Sequence, residues 1–98
     1  MITLNQTIII PDTIFVQEID SEMVLMDINS DNYYGLDEVG CSIWKVIEAS
    51  HGLLESYNRL LEIYDVEPET LKKDLLTFVE TLAQNGLIRY QKEKDQDN

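Results

Sequence analysis

Apolar and polar positions fall first into short strand-like runs and then, from Asp37, into a helical period. Thr13 to Ile19 reads as a strand, and a tight turn at Asp20-Ser21-Glu22 leads into a second from Met23 to Ile28. In the second run Val24, Met26 and Ile28 share one face while Asp27 takes the other. Asn29-Ser30-Asp31-Asn32 has turn composition, and Tyr33-Tyr34-Gly35-Leu36 follows as a third, short strand. Three strands linked by short polar turns predict an antiparallel meander. Ahead of them, Thr7-Ile8-Ile9-Ile10 is β-branched and reads as a short edge strand stopped by Pro11.

Past Leu36, Asp37 is placed to cap a helix with its carboxylate. Leu36 and Cys41 then occupy the staple positions that set the angle between strand and helix. Val39, Ile43, Val46 and Ile47 form the stripe of this first helix, with Trp44 at its margin. Ser50-His51-Gly52 ends it, Gly52 suiting a left-handed C-terminal cap. A second helix runs from Leu53 to Tyr64 with Leu53, Tyr57, Leu60, Leu61 and Tyr64 inward. After the turn Asp65-Val66-Glu67, Pro68 opens a third helix that reaches about Asn85 and stops at Gly86. Leu71, Leu75, Phe78 and Leu82 make its main stripe, widened by Leu76, Val79 and Ala83. Leu87-Ile88-Arg89-Tyr90 is a brief β-like stretch.

This order predicts an α+β fold, a three-stranded antiparallel sheet followed by three helices. The second and third helices have helix-turn-helix spacing, so the whole is winged helix-turn-helix-like. The 98 residues read as one domain, folded from about residue 7 to 90, with a flexible charged tail from 91 to 98.

Charge narrows the partners. The formal net charge is −12, with only seven Lys and Arg residues, and these are scattered. Phosphate backbones and anionic membranes require clustered cations, so neither nucleic acid nor membrane is an expected partner. The third helix, which would enter a DNA groove in such a fold, has Lys72 and Lys73 but also Glu69, Asp74 and Glu80. No apolar run approaches the length of a membrane span, no secretory signal is expected, and the chain reads as cytoplasmic.

Catalytic parts are missing. Cys41 is the only cysteine and falls among apolar helix positions, which suits a buried, inert thiol. His51 is the only histidine, in a helix-ending turn, so no metal set or nucleophilic triad can be assembled. The carboxylates all have plainer roles as caps, turn residues or solvated helix residues. No enzyme activity, cofactor or metal is expected.

Binding by shape is left. If Tyr33-Tyr34-Gly35-Leu36 lies at the sheet edge, its unpaired backbone groups can accept a peptide as an additional strand. Leu71, Asp74, Leu75 and Phe78 share a sector of the third helix and would wall the groove beside that edge. Periodicity alone assigns Tyr34, Leu36, Leu75 and Phe78 more readily to the core. An exposed edge strand also permits a strand-swapped homodimer.

Several of these segments, taken in order, resemble the PqqD-like family. They are Val24-Leu25-Met26-Asp27, Tyr33-Tyr34-Gly35-Leu36-Asp37, Val39-Gly40, Ile43-Trp44, Tyr64 to Glu69, and Asp74 with Phe78-Val79, Leu82 and Gly86-Leu87. The likeness spans roughly residues 13–90 and looks most like the stand-alone leader-recognition proteins of lasso-peptide clusters. It implies a domain that recognises the leader of a ribosomally made precursor peptide, docked as an extra strand on the third strand and next to the third helix. It further implies that a separate leader-cleaving cysteine protease receives the precursor. By position, Tyr33, Tyr34 and Leu36 would belong to the docking strand, and Leu71, Asp74, Leu75 and Phe78 to the helix wall. Asp37 stands where such proteins usually have Asn; both cap well, but the local charge differs. Other outcomes are a peptide carrier for a radical SAM maturase, a winged-helix DNA-binding regulator and a purely structural subunit.

Overall fold

The computed structural model describes residues 3–50 and 52–91. His51 and the tail beyond Gln91 lie outside these residues. Eight elements follow one another: β1 (Thr7–Ile9), β2 (Ile14–Ile19), β3 (Glu22–Asp27), β4 (Tyr33–Leu36), α1 (Glu38–Ala49), α2 (Leu53–Ile63), α3 (Pro68–Gln84) and β5 (Arg89–Gln91). The fold is α+β, with the antiparallel sheet β2-β3-β4 preceding three helices. The β-branched segment at Thr7–Ile9 does form a strand. It pairs antiparallel with β5, so the two ends of the described chain meet in a separate two-stranded ribbon.

Turn chemistry explains the meander. Asp20, with φ 57°, makes the two-residue turn between β2 and β3, and Asp tolerates this left-handed conformation better than most residues. Between β3 and β4 the Asp27 carbonyl accepts from the Asp31 N–H at 2.8 Å, and the Asp27 carboxylate accepts from the Asn29 N–H at 3.0 Å. That bond is the main reason the Asp27 carboxyl sits below its usual pKa range, with side-chain bonds from Thr13 and Ser30 adding to it.

Asp37 caps α1 as expected, its Oδ1 accepting from the Gly40 N–H at 2.8 Å. Leu36 and Cys41 are both buried at the joint. The helix faces more of the core than a single stripe allows. Trp44, expected at the margin, is fully buried, whereas Val39, expected in the stripe, is 55% exposed. The reason is that α1 contacts both the sheet and α2, which widens its buried arc and rotates it toward Gly40, Cys41 and Trp44.

Gly52 corrects another expectation. It is extended, at φ −174°, and serves as the N-cap of α2 rather than as a left-handed cap on α1. Ser50 ends α1 instead. The left-handed glycine is Gly86, at φ 76°, just past α3, where the absence of a Cβ removes the steric penalty.

The core lies between the inner face of the sheet and the three helices. Leu25, Trp44, Leu53, Leu60, Leu75, Leu82 and Leu87 have no exposed surface. Each such aliphatic side chain stabilises the fold by about 1.5–3 kcal/mol through removal from water. On β3 it is Met23 and Leu25 that face this core, and Val24, Met26 and the following Ile28 are left exposed. No helix among the described residues is long and apolar enough to cross a membrane.

Candidate functional site

Among the described residues β4 is the last strand of its sheet and pairs only with β3. The register is Met26–Tyr33, Leu25–Tyr34, Val24–Gly35 and Met23–Leu36. At its start the Asp27 N–H donates to the Asn32 carbonyl at 2.8 Å. Hydrogen-bonded and non-bonded pairs alternate along an antiparallel ladder. Leu25–Tyr34 and Met23–Leu36 are therefore bonded pairs, and the backbone N–H and C=O groups of Tyr33 and Gly35 point away from β3. On the far side of β3 the Ile28 N–H donates to the Thr13 carbonyl at 3.1 Å, as the same alternation requires.

A groove of about 530 Å³ runs along that open edge, between β4, the start of α1 and α3. Leu36, Val39, Ile43 and Phe78 supply apolar wall, and Asp37, Asp74, Thr77 and Thr81 supply polar groups. Both ends of the groove are fastened. The Asn32 side-chain amide donates to the Asn85 carbonyl at 3.3 Å, tying the turn before β4 to the end of α3. At the other end the Cys41 thiol lies 3.7 Å from the Leu36 carbonyl, tying β4 to α1.

The expected site residues divide. Tyr34, Leu36, Asp74 and Phe78 line the groove. Tyr34 and Phe78 are half-buried and also pack on the core. Tyr33 is 73% exposed and lies on the other face of the sheet. Leu71 and Leu75 were expected in the groove wall, but both are buried in the core and neither lines the groove. Leu71 sits two turns before Phe78 on the same side of α3, short of the groove, and Leu75 is turned from Phe78 into the core.

Asp37, Val39, Gly40, Ile43, Thr77 and Thr81 join the site without having been singled out for it, and Gly35, expected there as part of the docking strand, lines it too. Asp74, Thr77, Phe78 and Thr81 are spaced as one helix facet, so that part was open to reading. The exposure of Val39 was not, because it carries an ordinary core side chain.

The two carboxylates, Asp37 and Asp74, have no Lys or Arg among the other groove-lining residues. The charge of the groove thus suits neutral or cationic groups better than anionic ones. Burial raises the pKa of the Cys41 thiol, with the negative charge of Glu18 next in importance, and the sulfur is enclosed. Among the described residues no group of three or more His, Cys, Asp or Glu side chains is placed to hold a metal ion.

Residues 22–88 match the family of coenzyme PQQ synthesis protein D (PqqD). No curated protein sequence matches the chain. Two solved structures are similar to it. One is TbiB1 in complex with the TbiA(beta) leader peptide, 32% identical, covering 83% of this chain and 94% of that one, with a TM-score of 0.76. The other is lasso peptide synthetase B1 complexed with the leader peptide, 25% identical, covering 85% of this chain and 98% of that one, with a TM-score of 0.74.

Proposed function

This chain belongs to the PqqD family, and from that premise we propose that it recognises the leader of a ribosomally made precursor of the lasso-peptide type. The leader adds to β4 as a fourth strand. Its backbone bonds to the outward N–H and C=O groups of Tyr33 and Gly35, and its alternate side chains enter the groove against Phe78 and Ile43. The single observation that carries this reading is the unpaired edge of β4 facing an open, partly apolar groove. An edge of this kind is normally covered or blunted.

The domain itself is non-catalytic. It hands the bound precursor to a separate leader-cleaving cysteine protease in the cytoplasm. The formal charge of −12 suits basic surfaces on the leader or on that protease and opposes binding to nucleic acid.

Fluorescence anisotropy with the leader of the precursor encoded beside this chain tests the reading. Saturable binding that is lost in Phe78→Asp supports it, and cleavage by the neighbouring protease only when this chain is present supports delivery. Cleavage that ignores this chain, with binding intact, would shift the reading to a carrier for a radical SAM maturase. Absence of binding would leave a structural subunit, and a β4-swapped homodimer would appear as a species that the leader dissociates.

A further inference from the structure

We infer that the exposed face of the sheet carries a second subsite for the bound strand, centred on Gly35, which takes an aromatic side chain of the peptide. The inference rests on the strand-addition reading above and extends it, because the groove beside α3 meets only every second side chain of an added strand.

Alternation along β4 turns Tyr34 and Leu36 toward the helices and leaves Tyr33 and Gly35 on the opposite face. The register aligns Tyr33 with Met26 and Phe15, and Gly35 with Val24 and Gln17. This face is apolar yet open to solvent, Phe15 being 60% exposed. Gly35 interrupts it. A Cβ built at Gly35 meets nothing within 4 Å. Its backbone does not take the left-handed conformation either, since Gly86 is the glycine with positive φ. Neither space nor backbone angle calls for glycine here. Beside it lies a hollow of about 370 Å³ bordered by Ile19, Val24, Gln17, Glu22 and Asp37.

With the peptide added antiparallel, the outward N–H and C=O of Gly35 make the residue alongside it a hydrogen-bonded partner, and partners in a ladder raise their side chains on the same face. That side chain therefore rises on the outer face, over the missing side chain of Gly35. An aromatic ring fits best: it covers the glycine, reaches Val24 and Ile19, and flanks the ring of Tyr33 at the diagonal distance aromatic residues span. Aromatic residues cover edge glycines in sheets in this way. A carboxylate is disfavoured by Glu22 and Asp37 at the rim. The leader is thus read on both faces of the extended sheet, with groove anchors at alternate positions and an aromatic residue between them.

Display of short random peptides, selected on the wild-type chain and on Gly35→Val, tests the subsite. Valine suits a strand and has free space there, so the variant should fold, as circular dichroism and thermal melting would verify. Wild type should enrich peptides with an aromatic residue next in sequence to an apolar groove anchor. Gly35→Val should keep the anchors and lose the aromatic preference. Its affinity for the wild-type-selected peptides should fall about tenfold, while peptides with Ala at that position change less than about twofold. Gly35→Ala, adding one methyl group, should fall between the two and serves if valine disturbs β4. Anchors without an aromatic preference, or one pattern selected by both proteins, would overturn the subsite alone. No enrichment at all would overturn strand addition and the subsite with it.

Discussion

The Asp27 N–H donates to the Asn32 carbonyl at 2.8 Å, and this bond decides which atoms β4 shows to a partner. Shifting the register by one residue would turn Tyr34 and Leu36 outward and expose the core. In the register found, those two side chains stay inside, and the backbone of Tyr33 and Gly35 is free.

The turn that holds this bond is pH-sensitive in a defined direction. Hydrogen bonds hold the Asp27 carboxyl below its ordinary value of 3.8. A carboxylate with a depressed folded pKa stabilises the fold above its unfolded pKa, and the contribution disappears as pH falls through the lower folded value. Urea unfolding of wild type and Asp27→Ala should therefore differ at pH 6 and converge in the acid range below 3.8. A difference that stays constant into that range would show that the charge of Asp27 has no part in the turn.

Leu75 and Phe78 lie on one helix but should fail differently. Leu75→Ala empties a fully buried site and is expected to cost about 2–5 kcal/mol of stability in denaturant titration. Phe78→Ala removes a half-buried groove wall and should cost less stability, yet weaken leader binding by about tenfold or more. If the Leu75 variant is stable and the Phe78 variant binds normally, the groove has been placed on the wrong facet of α3.

Asp37 links strand to helix through its bond to the Gly40 N–H. Asp37→Ala should cost about 1 kcal/mol in thermal or chemical unfolding, and Asp37→Asn much less, because an amide oxygen also caps. Equal losses in both variants would mean that charge at the helix N-terminus, rather than the cap bond, carries the effect.

The order of strands and helices was legible because it depends on local signals: turn residues, the caps at Asp37 and Gly86, and Pro68 at the start of α3. The buried face of β3 was harder to read. Met23 and Leu25 on one side and Val24 and Met26 on the other are all apolar, since the outer face is itself an apolar surface open to solvent. A two-residue period then has no polar half to decide the matter. The site was legible in part for a related reason. Leu71, Leu75 and Phe78 share a stripe, and only the position of β4 beside α3 separates the core-facing leucines from Phe78. Gly35 offered no side chain to notice, and its importance follows from the register, which the sequence does not print.

Amide hydrogen exchange at β4, measured by NMR with and without saturating leader peptide, tests strand addition most directly. The Tyr34 and Leu36 amides already bond to β3 and should change little. The Gly35 amide points to the open edge, and it should exchange quickly in the free protein and at least about tenfold more slowly in the complex. Tight binding that leaves Gly35 exchange unchanged would contradict the account, because a strand cannot join this edge without bonding there.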